Sequence, residues 1–376
     1  MAKIDDSVKK KVPELRFKGF TDEWEERKFK DILKTHSFRS YLAGVSENGE
    51  YEVIQQGDKP IVGYSDGEPF TDYKDVTLFG DHTVSLYKPK SPFFVATDGV
   101  KILSADNFEG NYLYTTLERY KPEPQGYKRH FTILKNQDVW FTENMEEQQK
   151  IGVFFKQLDA TITLHQRKLD KLKSVKQAYL SEMFPAEGER VPKRRFPGFT
   201  DAWELHPLRE IGNTYTGLSG KTKDDFGHGD GRFVTYMNVF SNPISLPEMV
   251  EEVEFDESQN TVRYGDVLFT TSSETPEEVG MSSVWLENTE NTYLNSFCFG
   301  FRPVKKVNPY YLAYLLRSSG MRRKISFLAQ GISRYNISKA KMMELEISIP
   351  NENEQSAIGS FFSTLDSQIT LHQRKS

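Results

Sequence analysis

The chain has 376 residues and a mass of 43.4 kDa, enough for two to three domains. Lys and Arg number 49 against 54 Asp and Glu, so the net charge of -5 argues against a general polyanion binder but leaves room for local basic surfaces. The single cysteine, Cys298, excludes a disulfide framework or a cysteine-rich zinc site and points to a reducing, cytoplasmic setting, and neither a membrane-length apolar run nor a secretory signal is visible.

Residues 12–25, VPELRFKGFTDEWE, join Phe17, Phe20 and Trp24 to a turn sequence. The aromatics predict a staple of this segment against a domain, with a partner-docking surface as the sharper alternative. Thr21 or Asp22 is suited to cap a short helix. From 26 to 145, strand-like runs at Tyr51–Gln55, Thr83–Tyr87, Pro92–Ala96 and Val100–Leu103 alternate with Gly, Asp and Pro turns. Two polar loop strings stand out here. One holds Arg39, Ser40 and Tyr41, the other Tyr127, Lys128, Arg129 and His130.

Residues 146–184 predict one long helix. Ile151, Phe155, Leu158, Ile162, His165, Leu169, Leu172, Lys176, Tyr179 and Met183 recur at alternating steps of four and three, the seam of a coiled coil. Such a helix is a rod of about 57 Å that cannot bury its stripe alone. Pro185 stops it, with Gly188 in the following turn.

Residues 191–204, VPKRRFPGFTDAWE, then repeat the opening segment, with ten of 14 positions identical. From 205 to 350 the strand-like runs are Gly231–Asn238, Asp266–Thr271 and Phe297–Arg302, and Asn308-Pro309 opens a helix through Tyr310–Arg317. Further polar loops carry Lys221 and Lys223, and Ser333, Arg334, Tyr335 and Asn336. Side chains of these types read base edges and hold phosphates. Arg129 and Arg334 stand out because each follows a Gln-Gly pair. For Arg334 the plain alternative is an ion pair with Glu344 or Glu346.

Three catalytic look-alikes fail. The string from Gly217 to Thr222 has Tyr215 where a phosphate loop needs glycine. Asn308-Pro309-Tyr310-Tyr311 lacks the second proline of an amino-methyltransferase loop. The seven histidines have no metal-ligand spacing; His165 and His372 are expected to pack within the helix seam.

The chain closes on IGSFFSTLDSQITLHQRK (358–375), which matches IGVFFKQLDATITLHQRK (151–168) at 13 of 18 positions. The second copy is the natural partner for the first, through Ile358, Leu365 and Ile369. The first copy runs on through Leu169–Met183, whereas the second stops at Lys375-Ser376, which leaves the distal half of the expected coiled coil in doubt. The plan is a shared segment, a variable domain and a shared helix, then all three again. The second half carries about 26 extra residues, between Glu204 and Gln330. Shared parts imply one job done twice, variable parts two different jobs.

RFKGFTDEWE, RFPGFTDAWE, the paired IG-to-LHQRK strings, LKSVKQAYLSEMFP (172–185) and QGISRYNISKAKM (330–342) together resemble the specificity subunit of type I restriction–modification enzymes. That resemblance covers nearly the whole chain. It implies an α+β fold of two target-recognition domains separated by two long antiparallel helices, a coiled coil, in a pseudo-twofold internal repeat. The corresponding boundaries are 1–145, 146–185 for the first spacer helix, 186–350, and 351–376 for the second. It implies that each domain reads one half of a split site in double-stranded DNA. The DNA-binding candidates are then Arg39, Tyr41, Lys128, Arg129, His130, Lys221, Lys223, Ser333, Arg334, Tyr335 and Asn336. Ile151, Leu158, Ile162, Leu169, Leu172, Ile358, Leu365 and Ile369 would form the spacer and dock two methyltransferase subunits. Two restriction subunits are a further implied partner. The chain would be non-catalytic, with no cofactor or metal of its own; S-adenosylmethionine, ATP and magnesium would belong to the partners. Rival readings are a stand-alone DNA methyltransferase and a coiled-coil scaffold without DNA contact.

Overall fold

The computed structural model describes residues 12–126, 128–186 and 188–374. The chain forms two compact units, 1–163 and 164–376.

In the first unit, β1 (Glu25–Lys28) leads through a short helix, α1 (Phe29–Ile32), to β2 (Leu33–His36). Then come β3 (Tyr51–Ile54), β4 (Ile61–Ser65), β5 (Thr77–Gly80), β6 (Leu86–Tyr87), β7 (Phe93–Val95) and β8 (Val100–Ala105). They are followed by α2 (Gly110–Tyr120), α3 (His130–Lys135), β9 (Asp138–Phe141) and the long α4 (Met145–Glu182). The sheets run β2-β8-β5-β6, β4-β3-β7 and β1-β9. β3 and β7 pair in parallel and the other pairs are antiparallel. The central strand β5 is buried along its whole length, and its Leu78 and Phe79 enter the two hydrophobic cores of the unit.

The second unit repeats this topology. Its elements open with β10 (Glu204–Pro207), α5 (Leu208–Ile211), β11 (Gly212–Thr216), β12 (Phe226–Val234) and α6 (Tyr236–Ser241). β13 (Val250–Val253), β14 (Val267–Thr270), β15 (Ser272–Ser273), β16 (Ser282–Val284), β17 (Thr292–Leu294) and β18 (Cys298–Pro303) follow. The unit ends in α7 (Pro309–Leu315), α8 (Ser319–Ser326), β19 (Tyr335–Asn336), α9 (Lys339–Met343), β20 (Glu346–Ile349) and α10 (Glu352–Gln373). Its sheets are β11-β18-β14-β16, β13-β12-β17 and β10-β20, strand for strand those of the first unit, with β12 and β17 in parallel. The pair β15-β19 and the helices α6 and α8 are added in the second unit.

The shared segments explain why both units fold alike. Gly19 and Gly198 hold φ at 99° and 91°, a turn that an L side chain strains to make. The turn returns Arg16 to Glu147, at 2.6 and 2.8 Å, and Arg195 to Glu354, at 2.6 and 2.7 Å. Each is a bidentate pair, and both carboxylates are buried in the first turn of a long helix. Asn144 and Asn351 cap those turns by accepting the N–H of Glu147 and Glu354. Gln148 and Gln355 accept the N–H of Glu109 and Asn308, both at 2.8 Å, and so tie the caps of α2 and α7 to the long helices. Gly152 and Gly359 make the approach possible. A Cβ at Gly152 would lie 2.8 Å from the Tyr112 nitrogen, and one at Gly359 3.1 Å from that of Tyr311.

Several expectations need correction. Neither Thr21 nor Asp22 caps a helix, because the chain passes from the Gly19 turn straight towards β1; the aromatic staple itself is present, with Phe17 edge-on to Phe154 and Lys150 over Phe20. The run Thr83–Tyr87 is strand only at its end, since Val84 takes a positive φ of 59°. The run Gly231–Asn238 changes at Thr235, whose side chain accepts the Asn238 N–H and starts α6.

The first long helix ends at Glu182, before Pro185 as expected. Within the second unit its segment from Leu164 packs antiparallel on α10. Leu169 and Leu172 meet Leu365 and Ile369, Tyr179 meets Phe361, and Lys176 pairs with Asp366 at 2.5 Å. His165 and His372 face each other with their Nδ1 atoms 3.3 Å apart. Ile358 is buried in the core of the second unit and Ile151 packs into that of the first. The seam residues Leu158 and Ile162, however, are each 42% exposed, where their counterparts Leu365 and Ile369 are 7% and 9%. Lys375 and Ser376 lie outside the described residues.

Candidate nucleic-acid interface

Four backbone hydrogen bonds recur in both units and gather the loops at one rim of the sheets. Ala43 N–H donates to Val95 O as Leu218 N–H does to Leu294 O, and Ala96 N–H to Ile54 O as Asn295 N–H does to Val234 O. Asp81 N–H reaches Gly99 O at 2.8 Å, and Thr271 N–H reaches Phe297 O at 2.9 Å. The carbonyls of Asp81 and Thr271 then accept from His130 N–H, at 2.8 Å, and Ile337 N–H, at 3.0 Å. Sequence reading missed this pivot, because an Asp and a Thr in unlike surroundings carry no common signal. The frame also corrects the Gln-Gly register. His130 stands where Ile337 does, so Arg129 matches Asn336, and Arg334 lies further back in its turn.

The frame sorts the candidates of the first unit. Arg129 precedes α3 with its side chain in solvent and makes no hydrogen bond or ion pair among the described residues. Lys128 is exposed, its Nζ 3.2 Å from Gln125 Oε1. Tyr127 lies outside the described residues. His130 is fully buried, which overturns its reading as a DNA contact. Its Nε2 accepts the Gln125 N–H at 2.9 Å, so the ring proton sits on Nδ1, which donates to Asp81 O at 3.0 Å. It is a structural clasp of the rim. Arg39 projects from a single helical turn into solvent, whereas Tyr41 packs edge-on against Phe70 at 5.2 Å, on the core side. Tyr41 is half-buried there, with one side of its ring against the core.

In the second unit the Arg334 turn is pinned at its base. Gln330 and Asn336 exchange backbone hydrogen bonds of 2.9 and 2.8 Å, and β15 pairs Ser272 with Asn336. Ser333, Arg334 and Asn336 are exposed; Tyr335 is half-buried against the core and serves the strand more than the surface. The proposed ion pair for Arg334 does not form with Glu344, whose carboxylate binds Arg209. Arg334 makes no hydrogen bond or ion pair among the described residues.

Lys221 is also corrected. Its ammonium is held by Asp256 at 3.1 Å and by Asp225 at 3.9 Å, and only 11% of its side chain is exposed. The Asp256 hydrogen bond raises its pKa, while hydrogen bonds from Ser258 and then Lys221 hold the Asp256 carboxyl well below the usual range. Thr222 and Asp225 cap the following turn, so the Gly217–Thr222 string is a braced loop rather than a phosphate cradle. Lys223, in that turn, is exposed. No bond among the described residues joins it to the Arg334 rim.

Among the described residues, no group of three or more His, Cys, Asp or Glu could hold a metal ion. No described helix is long and apolar enough to cross a membrane.

Each unit thus presents a rigid, repeated frame with a private set of polar side chains on its rim. Residues 21–174 and 200–376 match the family model described as the type I restriction modification DNA specificity domain. Over 185 residues the chain is 25% identical to the putative type I restriction enzyme MjaX specificity subunit of Methanocaldococcus jannaschii, covering 48% of this chain and 43% of that one. Over 104 residues it is 34% identical to the type I restriction enzyme StySPI specificity subunit of Salmonella potsdam, covering 28% and 22%. The chain therefore spans less than half the length of these curated relatives. Its fold is similar to the crystal structure of the type I restriction-modification system S subunit from M. genitalium, with a TM-score of 0.60, 12% identity, and coverage of 97% of this chain and 94% of that one. Two matched copies of one domain, on two copies of one frame, place the chain in the type I restriction modification DNA specificity family.

Proposed function

We propose that the chain is the sequence-reading component of a type I restriction–modification complex. Each unit reads one half of a split site in double-stranded DNA. The observation that carries this is the rim: one backbone frame, built twice, holds different exposed side chains in each copy. Arg129 and Lys128 stand on the first, and Arg334, Ser333 and Asn336 on the second. Arginine can grip a guanine edge through two hydrogen bonds and asparagine an adenine, so a different set on each frame favours a different half-site.

On this reading the chain positions DNA and performs no chemistry. The long helices hold the spacing of the half-sites and dock two methyltransferase subunits. Methyl transfer from S-adenosylmethionine belongs to those subunits, and ATP- and magnesium-dependent cleavage to restriction subunits where they join. Repeated docking segments suit two identical partners.

Footprinting of the chain, with the subunits that co-purify, on DNA carrying its modified sites tests the proposal. Two short protected segments, separated by a gap of fixed length whose sequence does not matter, are expected. One continuous footprint, or none, would refute it.

A further inference from the structure

Phe297 is 56% exposed, yet its backbone is firmly held. Its N–H donates to Asn295 Oδ1 at 2.8 Å. Its carbonyl accepts both the N–H and the hydroxyl of Thr271. The ring therefore stands in water on a fixed base. A rigid aromatic of this kind offers contact area at low ordering cost.

Its neighbours say what it faces. Thr271, which grips Phe297, also accepts the Ile337 N–H, next to Asn336 and the Arg334 turn. Phe297 thus belongs to the rim assigned to DNA, and the inference rests on that reading. Two nearby polar groups are engaged within the chain. The Asn295 oxygen is used by Phe297 itself, and the Ser273 hydroxyl by Glu278. What Phe297 itself offers is an apolar face. The major groove displays one apolar group, the C5 methyl of thymine. In the first unit the same place in the frame is held by Gly99, so the ring is private to the second unit.

We infer that Phe297 reads a thymine methyl group in the half-site of the second unit. The test replaces each thymine of that half-site, one at a time, by deoxyuridine, which removes only the methyl. The unchanged protein should lose about three- to tenfold in affinity at one position and nothing at the others. Phe297→Ala should lose a similar factor on thymine DNA and be indifferent to uracil at that position. Phe297→Leu, which keeps an apolar group, should fall between them, and all three proteins should melt alike. The inference is overturned if the half-site holds no thymine, if the unchanged protein ignores every uracil, or if Phe297→Ala still responds to it. Failure of the unchanged protein to prefer its site over other DNA would remove the DNA reading itself, and this inference with it.

Discussion

The residues proposed to meet DNA and those that hold the rim are the same types in sequence, and burial separates them. Arg334 and His130 both sit in polar strings that suggest base contacts. The structure leaves Arg334 in solvent on a pinned turn and locks His130 inside, between Gln125 and Asp81. Lys221 and Tyr41 are equally plausible by type, but acids across the loop hold Lys221, and Tyr41 is half-buried against a core phenylalanine. Such partners lie far along the chain, so sequence alone could name the loops but not choose within them. Arg334→Ala should therefore weaken binding to the specific site by about 1–3 kcal/mol if the residue reads a base. A phosphate contact would instead weaken all sequences alike and lower the salt slope by about one. Calorimetry should find melting unchanged in either case. His130→Ala should do the opposite, lowering the melting temperature by emptying a fully buried site and leaving the Gln125 N–H without its acceptor, while the backbone N–H of residue 130 still reaches Asp81 O. A variant of Arg334 that melts early but binds its site normally would show the residue to be structural.

At the scale of elements, the long helices were legible because the 4-3 spacing runs on for so many turns. The helix start at Asn308-Pro309 was legible for a local reason, a side-chain cap with a proline at the first turn. The switch at Thr235 was hidden, since Gly231–Asn238 reads as a continuous strand until the cap is seen. What the heptads could not give is which part of the seam is covered. Leu365 packs among Leu169, Leu172 and Ile369, whereas its counterpart Leu158 stands 42% exposed. Leu365→Ala should cost roughly 2–4 kcal/mol in urea unfolding. Leu158→Ala, at the matching position of the first copy, should cost less than about 1 kcal/mol. Equal costs would mean that both halves of the seam are covered alike.

For the whole molecule, the repeat is readable from the two copied segments, and with it the resemblance to the family. The sequence between them looks unrelated in the two halves, yet the structure builds both on the same strands in the same order. The reason is physical. The Arg–Glu pairs, the glycines against α2 and α7, and the four backbone bonds of the rim fix the frame through the shared segments and the main chain, which leaves the rim side chains free to differ. Domain exchange tests this most directly. Residues 26–143 should be replaced by the corresponding segment of another family member, and the modified bases mapped in cells carrying the hybrid with its partner subunits. One half-site should change, while the other half-site and the gap stay as they were. Both half-sites changing together, or neither, would contradict two separately reading domains on a common frame.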